Sequence, residues 1–211
     1  MPFSRRSWAR RSPHARNSSR PRRARSRTLT SEAPVVAREK AATVAFRVGS
    51  KRFEFAPHNC FACGQLNAHG LQLRLHGDAD RCWTELTLSS RFEGWEGIAH
   101  GGILTAILDE VMAWALVGQD SWGLTARLSV DFRKRVLIGS PVRAEGWITD
   151  KRRRLLRTQG RIVDAATGEV LAVAEAVYVP APEERKRELK ARYQFRLVDD
   201  DDPSDGAYPS R

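Results

Sequence analysis

The sequence predicts an α+β fold in which a curved antiparallel sheet of five to six strands wraps around one central helix. Three observations predict it: one long apolar stretch, period-two alternation on both sides of it, and the order strand, strand, helix, then four strands. The helix is read from Gly101 to about Val117. Its apolar residues recur at Ile103, Ile107, Val111 and Trp114, with Leu104, Leu108 and Ala115 one step round. That stripe is too wide for a surface helix, so the helix is expected to be nearly engulfed.

The strands follow in order. Residues 43–56 form a strand or an ordered lead-in, interrupted at Gly49-Ser50. Leu71, Leu73 and Leu75 alternate with Gln72 and Arg74 as a half-buried strand. Arg81 to Leu88 alternates again and pairs with it across Gly77-Asp78. After a polar break at 118–123, four longer strands are expected at 124–135, 141–151, 155–164 and 169–179. Their turns are 138–141, the basic run 151–154 and 165–168. A short charged helix at 182–192 completes the pattern.

The chain is 211 residues long and 41% hydrophobic, which suits one domain of ordinary size with tails. Of the formal charge of +11, ten positive charges are arginines in the first thirty residues, which hold no acid; the rest carries about +1. The basicity therefore belongs to an arm rather than to the domain. The expected layout is a disordered Arg-rich arm at 1–34, a lead-in at 35–55, the folded domain at 56–180, the charged helix within 181–195 and a disordered acidic tail at 196–211. The arm is open to three readings: a transit peptide, a segment that binds anionic polymers, or sequence upstream of the true start. No run is read as a membrane span. Three cysteines, two of them in a CxxC, do not make a disulfide framework, so a reducing, cytoplasmic setting is expected, or an organellar one if the arm is a transit peptide.

One narrow face of the central helix differs from the rest. Gly102, Thr105, Ala106, Asp109 and Ala113 share a side that is small-residued and carries a carboxylate. Such a carboxylate costs several kcal/mol of desolvation unless it has partners. The free N–H groups at the helix start, near Gly101, suit an oxygen with partial negative charge. Asp109 lies roughly 12 Å further along the axis. The two cannot serve one reacting carbon from the same helix, so a site that uses both needs two antiparallel copies in a two-fold dimer.

Phe92-Glu-Gly-Trp-Glu-Gly-Ile-Ala-His100-Gly101-Gly102, with an acid nine positions after the histidine, resembles the HGG signature of hotdog-fold acyl-CoA thioesterases. The nearest flavour is the phenylacetate-pathway group and its mammalian thioesterase-superfamily relatives. Cys60-Phe-Ala-Cys63-Gly64-Gln-Leu-Asn67-Ala-His-Gly70-Leu71 is similar to the segment before the first strand in one bacterial branch. The resemblance covers about residues 55–180. It implies a hotdog fold, a homodimer or dimer of dimers, an acyl-CoA substrate and no cofactor. It also implies that Asp109 activates water or attacks the thioester, that Gly101 supplies an N–H to the thioester oxygen, and that Gly102 leaves room for close approach. His100 would orient the loop or polarise the carbonyl, and Thr125 would hold the attacking water. Some relatives carry Asn or Gln six residues before the histidine, where Gly94 stands here; Trp95 is then the candidate to line the acyl pocket.

Coenzyme A carries several phosphates, for which Arg133, Lys134, Arg135 and the cluster 151–154 offer a basic rim, with Arg133 and Arg135 taken as substrate-binding candidates. Glu110 sits about 100° round the helix from Asp109 and is expected at a strand cap or a rim. His58, Cys60, Cys63 and His69 could make a zinc set, but no second CxxC stands at longer spacing, so no metal is expected. The alternative reading is a non-catalytic acyl-CoA-binding hotdog protein whose arm binds nucleic acid. Neither a membrane nor a nucleic-acid partner is expected under the main reading.

Overall fold

Alternating burial along four long strands builds one face of a sheet, and the central helix fills it. The computed structural model describes residues 44–48, 51–78 and 80–199. The arm at 1–34, the break at Gly49-Ser50 and the tail from residue 200 onward lie outside the described residues. The strands are β1 (Val44–Val48), β2 (Lys51–Phe55), β3 (His76–Asp78) and β4 (Arg81–Thr87). A 3-10 turn at Ser90–Phe92 leads into a small ribbon, β5 (Glu93–Trp95) and β6 (Ile98–Ala99). Then come α1 (Gly101–Gly118), β7 (Gly123–Phe132), β8 (Pro141–Arg152), β9 (Leu155–Asp164), β10 (Val170–Pro180), α2 (Glu183–Arg192) and β11 (Arg196–Asp199).

The main sheet runs β11-β2-β1-β3-β4-β8-β9-β10-β7. Its six-stranded part, β3 to β7, is the expected sheet, and it is antiparallel throughout. Beyond it, β1, β2 and β11 add three strands through a single parallel pairing of Val48 with Gly77. The sequence reading placed Arg196–Asp199 in a disordered tail. Instead the segment pairs with β2, Leu197 opposite Phe53. The strand expected at Leu71–Leu75 is also absent: Leu71 N–H donates to Phe61 O at 2.8 Å and Leu73 N–H to Ala62 O at 2.9 Å. The preceding cysteine loop takes those backbone bonds, and pairing with β4 begins only at His76.

Helix α1 buries Leu104, Ile107, Leu108, Val111, Met112, Ala115 and Leu116. Opposite them lie the inward residues Cys82, Thr84, Val142, Ala144, Ile162, Ala174, Ala176 and Tyr178. The close seat depends on Gly146 and Gly160, which pair across β8 and β9. A Cβ on Gly146 would lie 2.7 Å from the Met112 backbone nitrogen, and one on Gly160 3.0 Å from the Met112 side chain. Larger residues there would lift the helix off the sheet. The Trp114 flank is closed by Phe46 and Phe55, with ring centroids 5.1 and 5.0 Å from it. By length and composition alone α1 is apolar enough to cross a membrane, contrary to the sequence reading, although its apolar side chains pack against the sheet.

One face of α1 and one edge of the sheet remain open. Gly102, Thr105, Ala106, Asp109 and Ala113 are all only partly covered or exposed. Beside them runs β7, the last strand of the sheet, paired on one side only, with Leu124 76% and Phe132 52% exposed.

Candidate active site

Three elements meet at Asp109. The β10–β7 register sets Tyr178 opposite Thr125, with a bulge between Val177 and Tyr178 that re-aims the strand end. Both side chains turn toward the middle of α1. Thr125 Oγ1 donates to Asp109 Oδ1 at 2.9 Å, and the Tyr178 hydroxyl lies 3.2 Å from the same oxygen and 3.2 Å from the Asp109 carbonyl. Burial, reinforced by the charge of Asp109, holds the Tyr178 hydroxyl above its ordinary pKa, so it remains a donor. Among the described residues no donor reaches Asp109 Oδ2. The carboxylate is thus anchored through one oxygen and open at the other, an arrangement suited to taking a proton from water or to attacking carbon.

The amino end of α1 is built by His100 and two glycines. His100 Nδ1 accepts the Gly102 N–H at 2.9 Å, which makes the histidine the helix cap. A neutral ring that accepts at Nδ1 carries its hydrogen on Nε2, and this exposed side can donate. Gly101 N–H has no acceptor among the described residues, while Ile103 and Leu104 N–H return to His100 O. A Cβ at Gly102 would meet the His100 ring at 3.0 Å, and one at Gly101 would meet the Phe132 ring at 3.3 Å. Gly94 packs closely on the same histidine: a Cβ there would lie 3.0 Å from His100 Cα, a tight contact for any larger side chain.

The structure therefore brings Asp109 and Thr125 together and places His100, Gly101 and Gly102 at the far end of the same helix. It does not bring the substrate-binding candidates to Asp109. Trp95 is 83% exposed on the β5–β6 ribbon. Arg133 and Arg135 are exposed just after β7, with Arg135 beside a hollow shared with Lys134, Ser140 and Asp164. A second hollow gathers Lys151, Arg152, Arg153 and Lys186 around Trp122. Neither hollow includes Asp109.

Two residues escaped the sequence reading. Tyr178 looked like any inward aromatic of a strand, and only the register reveals its hydroxyl under Asp109. Glu110, expected at a rim, instead points into the wall formed by the cysteine loop. Trp114 Nε1 donates to it at 2.8 Å, and Cys60 Sγ lies 3.8 and 3.9 Å from its two oxygens. Burial raises the Glu110 carboxyl to about 7.

Residues 96–171 match the family model described as Thioesterase superfamily. The solved structures agree on the fold. A thioesterase superfamily protein aligns at TM-score 0.54 with 27% identity, over 57% of this chain and 62% of its own. Zebra fish thioesterase superfamily member 2 aligns at TM-score 0.51 with 14% identity, over 55% of this chain and 89% of its own. The chain thus spans less than two thirds of the length of the first of these. None of the curated proteins matches it by sequence. The fold is the hotdog fold, and its helix and following strands carry the thioesterase superfamily match.

Replacing Tyr178 by Phe removes one of the two hydroxyls on Asp109 without opening a cavity. It is expected to cost about 1 kcal/mol of stability. Chemical denaturation of wild type and variant measures this, and an unchanged midpoint would show that the hydroxyl does not hold the carboxylate.

Proposed function

We propose that the protein hydrolyses an acyl-CoA or aroyl-CoA thioester to the free acid and CoA, in sites shared between the two subunits of a two-fold dimer. The observation that carries this reading is Asp109: among the described residues, a carboxylate fixed through one oxygen and open at the other, on a helix whose amino end presents a Gly101 N–H with no acceptor.

The chemistry follows from those groups. Asp109 Oδ2 takes the proton of a water that attacks the thioester carbon, or attacks that carbon itself to give an anhydride that water then opens. Charge gathers on the carbonyl oxygen, where the Gly101 N–H of the partner subunit, with the His100 imidazole beside it, stabilises it. The C–S bond then breaks and CoA leaves as a thiolate. In this account Thr125 anchors the carboxylate rather than the water. Arg133, Arg135 and the basic run at 151–154 lie exposed and would meet the CoA phosphates at the mouth. Trp95 would reach the acyl group only once the partner subunit closes over the ribbon.

The partner comes through β7. A ten-residue edge strand with exposed apolar side chains is a template for another strand. Arg127 and Asp131 flank Ser129 on its outer face. An antiparallel pairing centred on Ser129 sets Arg127 opposite Asp131 of the partner subunit, twice by symmetry. Such pairing would also carry the open face of α1 toward its twin.

The test uses a panel of short, long and aromatic acyl-CoAs with release of free thiol as the readout. Wild type is expected to turn over at least one of them, and Asp109→Asn to lower kcat by 100-fold or more at unchanged thermal stability. No turnover across the panel, or full activity in Asp109→Asn, would contradict the reading. For the dimer, Arg127→Asp or Asp131→Arg alone is expected to shift sedimentation toward monomer, and the double exchange to restore the dimer. Unchanged sedimentation in both single variants would place the interface elsewhere.

A further inference from the structure

We propose that His58, Cys60, Cys63 and Glu110 form a binding site for a zinc-class divalent cation, which pins the loop between β2 and β3 to the back of helix α1. The proposal stands on its own and does not depend on the hydrolytic reading.

His58, Cys60 and Cys63 bring one nitrogen and two sulfurs within 4.8 Å of one another. His58 Nε2 lies 3.3 Å from Cys63 Sγ. Around a tetrahedral zinc with Zn–S near 2.3 Å and Zn–N near 2.0 Å, neighbouring ligand atoms sit about 3.5 to 3.8 Å apart. The His58–Cys63 spacing lies close to that range, and the widest spacing must contract by about 1 Å to reach it. The candidate fourth ligand lies outside that three-residue group: Glu110 holds both carboxylate oxygens 3.8 to 3.9 Å from Cys60 Sγ, and the Trp114 indole fixes one of them at 2.8 Å. A metal-bound carboxylate steadied by an indole N–H has the kind of outer support such ligands use.

The loop backbone is shaped for this task. Gly64 closes the turn, its N–H on Cys60 O at 3.0 Å, and Leu66 N–H returns to His58 O at 3.2 Å. A Cβ on Gly64 would fall 2.4 Å from Cys60 N and from His58 O. Only glycine lets the chain fold tightly enough to aim both sulfurs at one point. Among the described residues the buried His58 Nδ1 has no hydrogen-bond partner, so the ring's polar contact there is with the cluster. Phe55 and Tyr193 pack on the same ring, at 5.4 and 5.6 Å between centroids.

Two sulfurs, an imidazole and a carboxylate make a donor set that suits zinc better than a hard cation such as magnesium or calcium. Binding would release to solvent the protons these ligands still carry and leave a net charge near −1 on the centre, against about −3 for the fully ionised ligands alone. The sequence sets this cluster aside for want of a second cysteine pair, and the fourth ligand proposed here is of another kind. It is a glutamate on a distant helix, while the exposed His69 stays outside the cluster. Cys60 remains partly exposed, which leaves a path for the ion to enter.

The test is metal analysis of the full chain purified from zinc-supplemented medium, followed by cobalt titration of the chelated, reduced protein. About one zinc per chain is expected, together with a sulfur-to-cobalt charge-transfer band and intense visible bands of tetrahedral cobalt that zinc then displaces. Cys63→Ser should lose most of the charge-transfer band. Glu110→Gln should keep that band but alter the visible spectrum and weaken binding at least tenfold. His69→Ala should behave as wild type. Should a variant fail to fold by circular dichroism, the wild-type titration decides alone. Less than a tenth of an equivalent of metal with no cobalt band would overturn the proposal. So would alkylation of the freshly isolated protein showing a Cys60–Cys63 disulfide.

Discussion

One length decides the design of the candidate site. Asp109 and Gly101 lie eight residues apart on a rigid helix, roughly 12 Å along its axis. A thioester carbon needs an attacking group on one side and an oxygen-binding donor within about 3 Å of its carbonyl oxygen on the other. A single α1 cannot provide both. The face that carries Gly102, Thr105, Ala106, Asp109 and Ala113 is left partly open, although the rest of the helix is packed. The adjoining strand β7 ends the sheet with an unpaired edge. Small residues on that face allow another helix to approach, and the open edge offers it a way to be held.

The remainder of the molecule serves to hold that helix at a fixed height and rotation. Gly146 and Gly160 let the Met112 region sit directly on β8 and β9. On the opposite flank, β1, β2 and the cysteine loop close around Trp114 and Glu110. Because Glu110 follows Asp109, whatever fixes the glutamate also fixes the rotation that points the aspartate at Thr125 and Tyr178. The two neighbouring acids thus face different surroundings, one the open helix face beside the Thr125 and Tyr178 hydroxyls and the other a sulfur-lined wall.

Much of this was legible in the sequence because burial imposes periodicity. The alternation of Cys82, Thr84, Leu86 and Leu88 located β4, and the wide stripe from Ile103 to Trp114 marked an enclosed helix. Thr125, which the resemblance assigns to the attacking water, instead donates to Asp109 itself. What escaped depended on distant pairings that leave no local period. Leu71–Leu75 alternates like a strand, yet its backbone bonds go to the cysteine loop. Arg196–Asp199 is only four residues of mixed polarity, and it forms a strand because β2 offers an edge. Tyr178 and Glu110 acquire their partners through register and helix rotation, which a string of residue types does not display.

The claim at the centre of the account is that each reacting centre draws Asp109 from one chain and the Gly101 N–H from another. Mixing subunits tests it directly. Asp109→Asn and Gly101→Pro, the latter a first-turn proline that removes the N–H while tolerating the helix, should each be nearly inactive alone. Unfolded together at equal amounts and refolded, they should recover about a quarter of wild-type turnover, since half the dimers are mixed and each of those holds one intact site. Recovery near zero from demonstrably mixed dimers would mean that both groups act within one chain, and the shared-site account would fail.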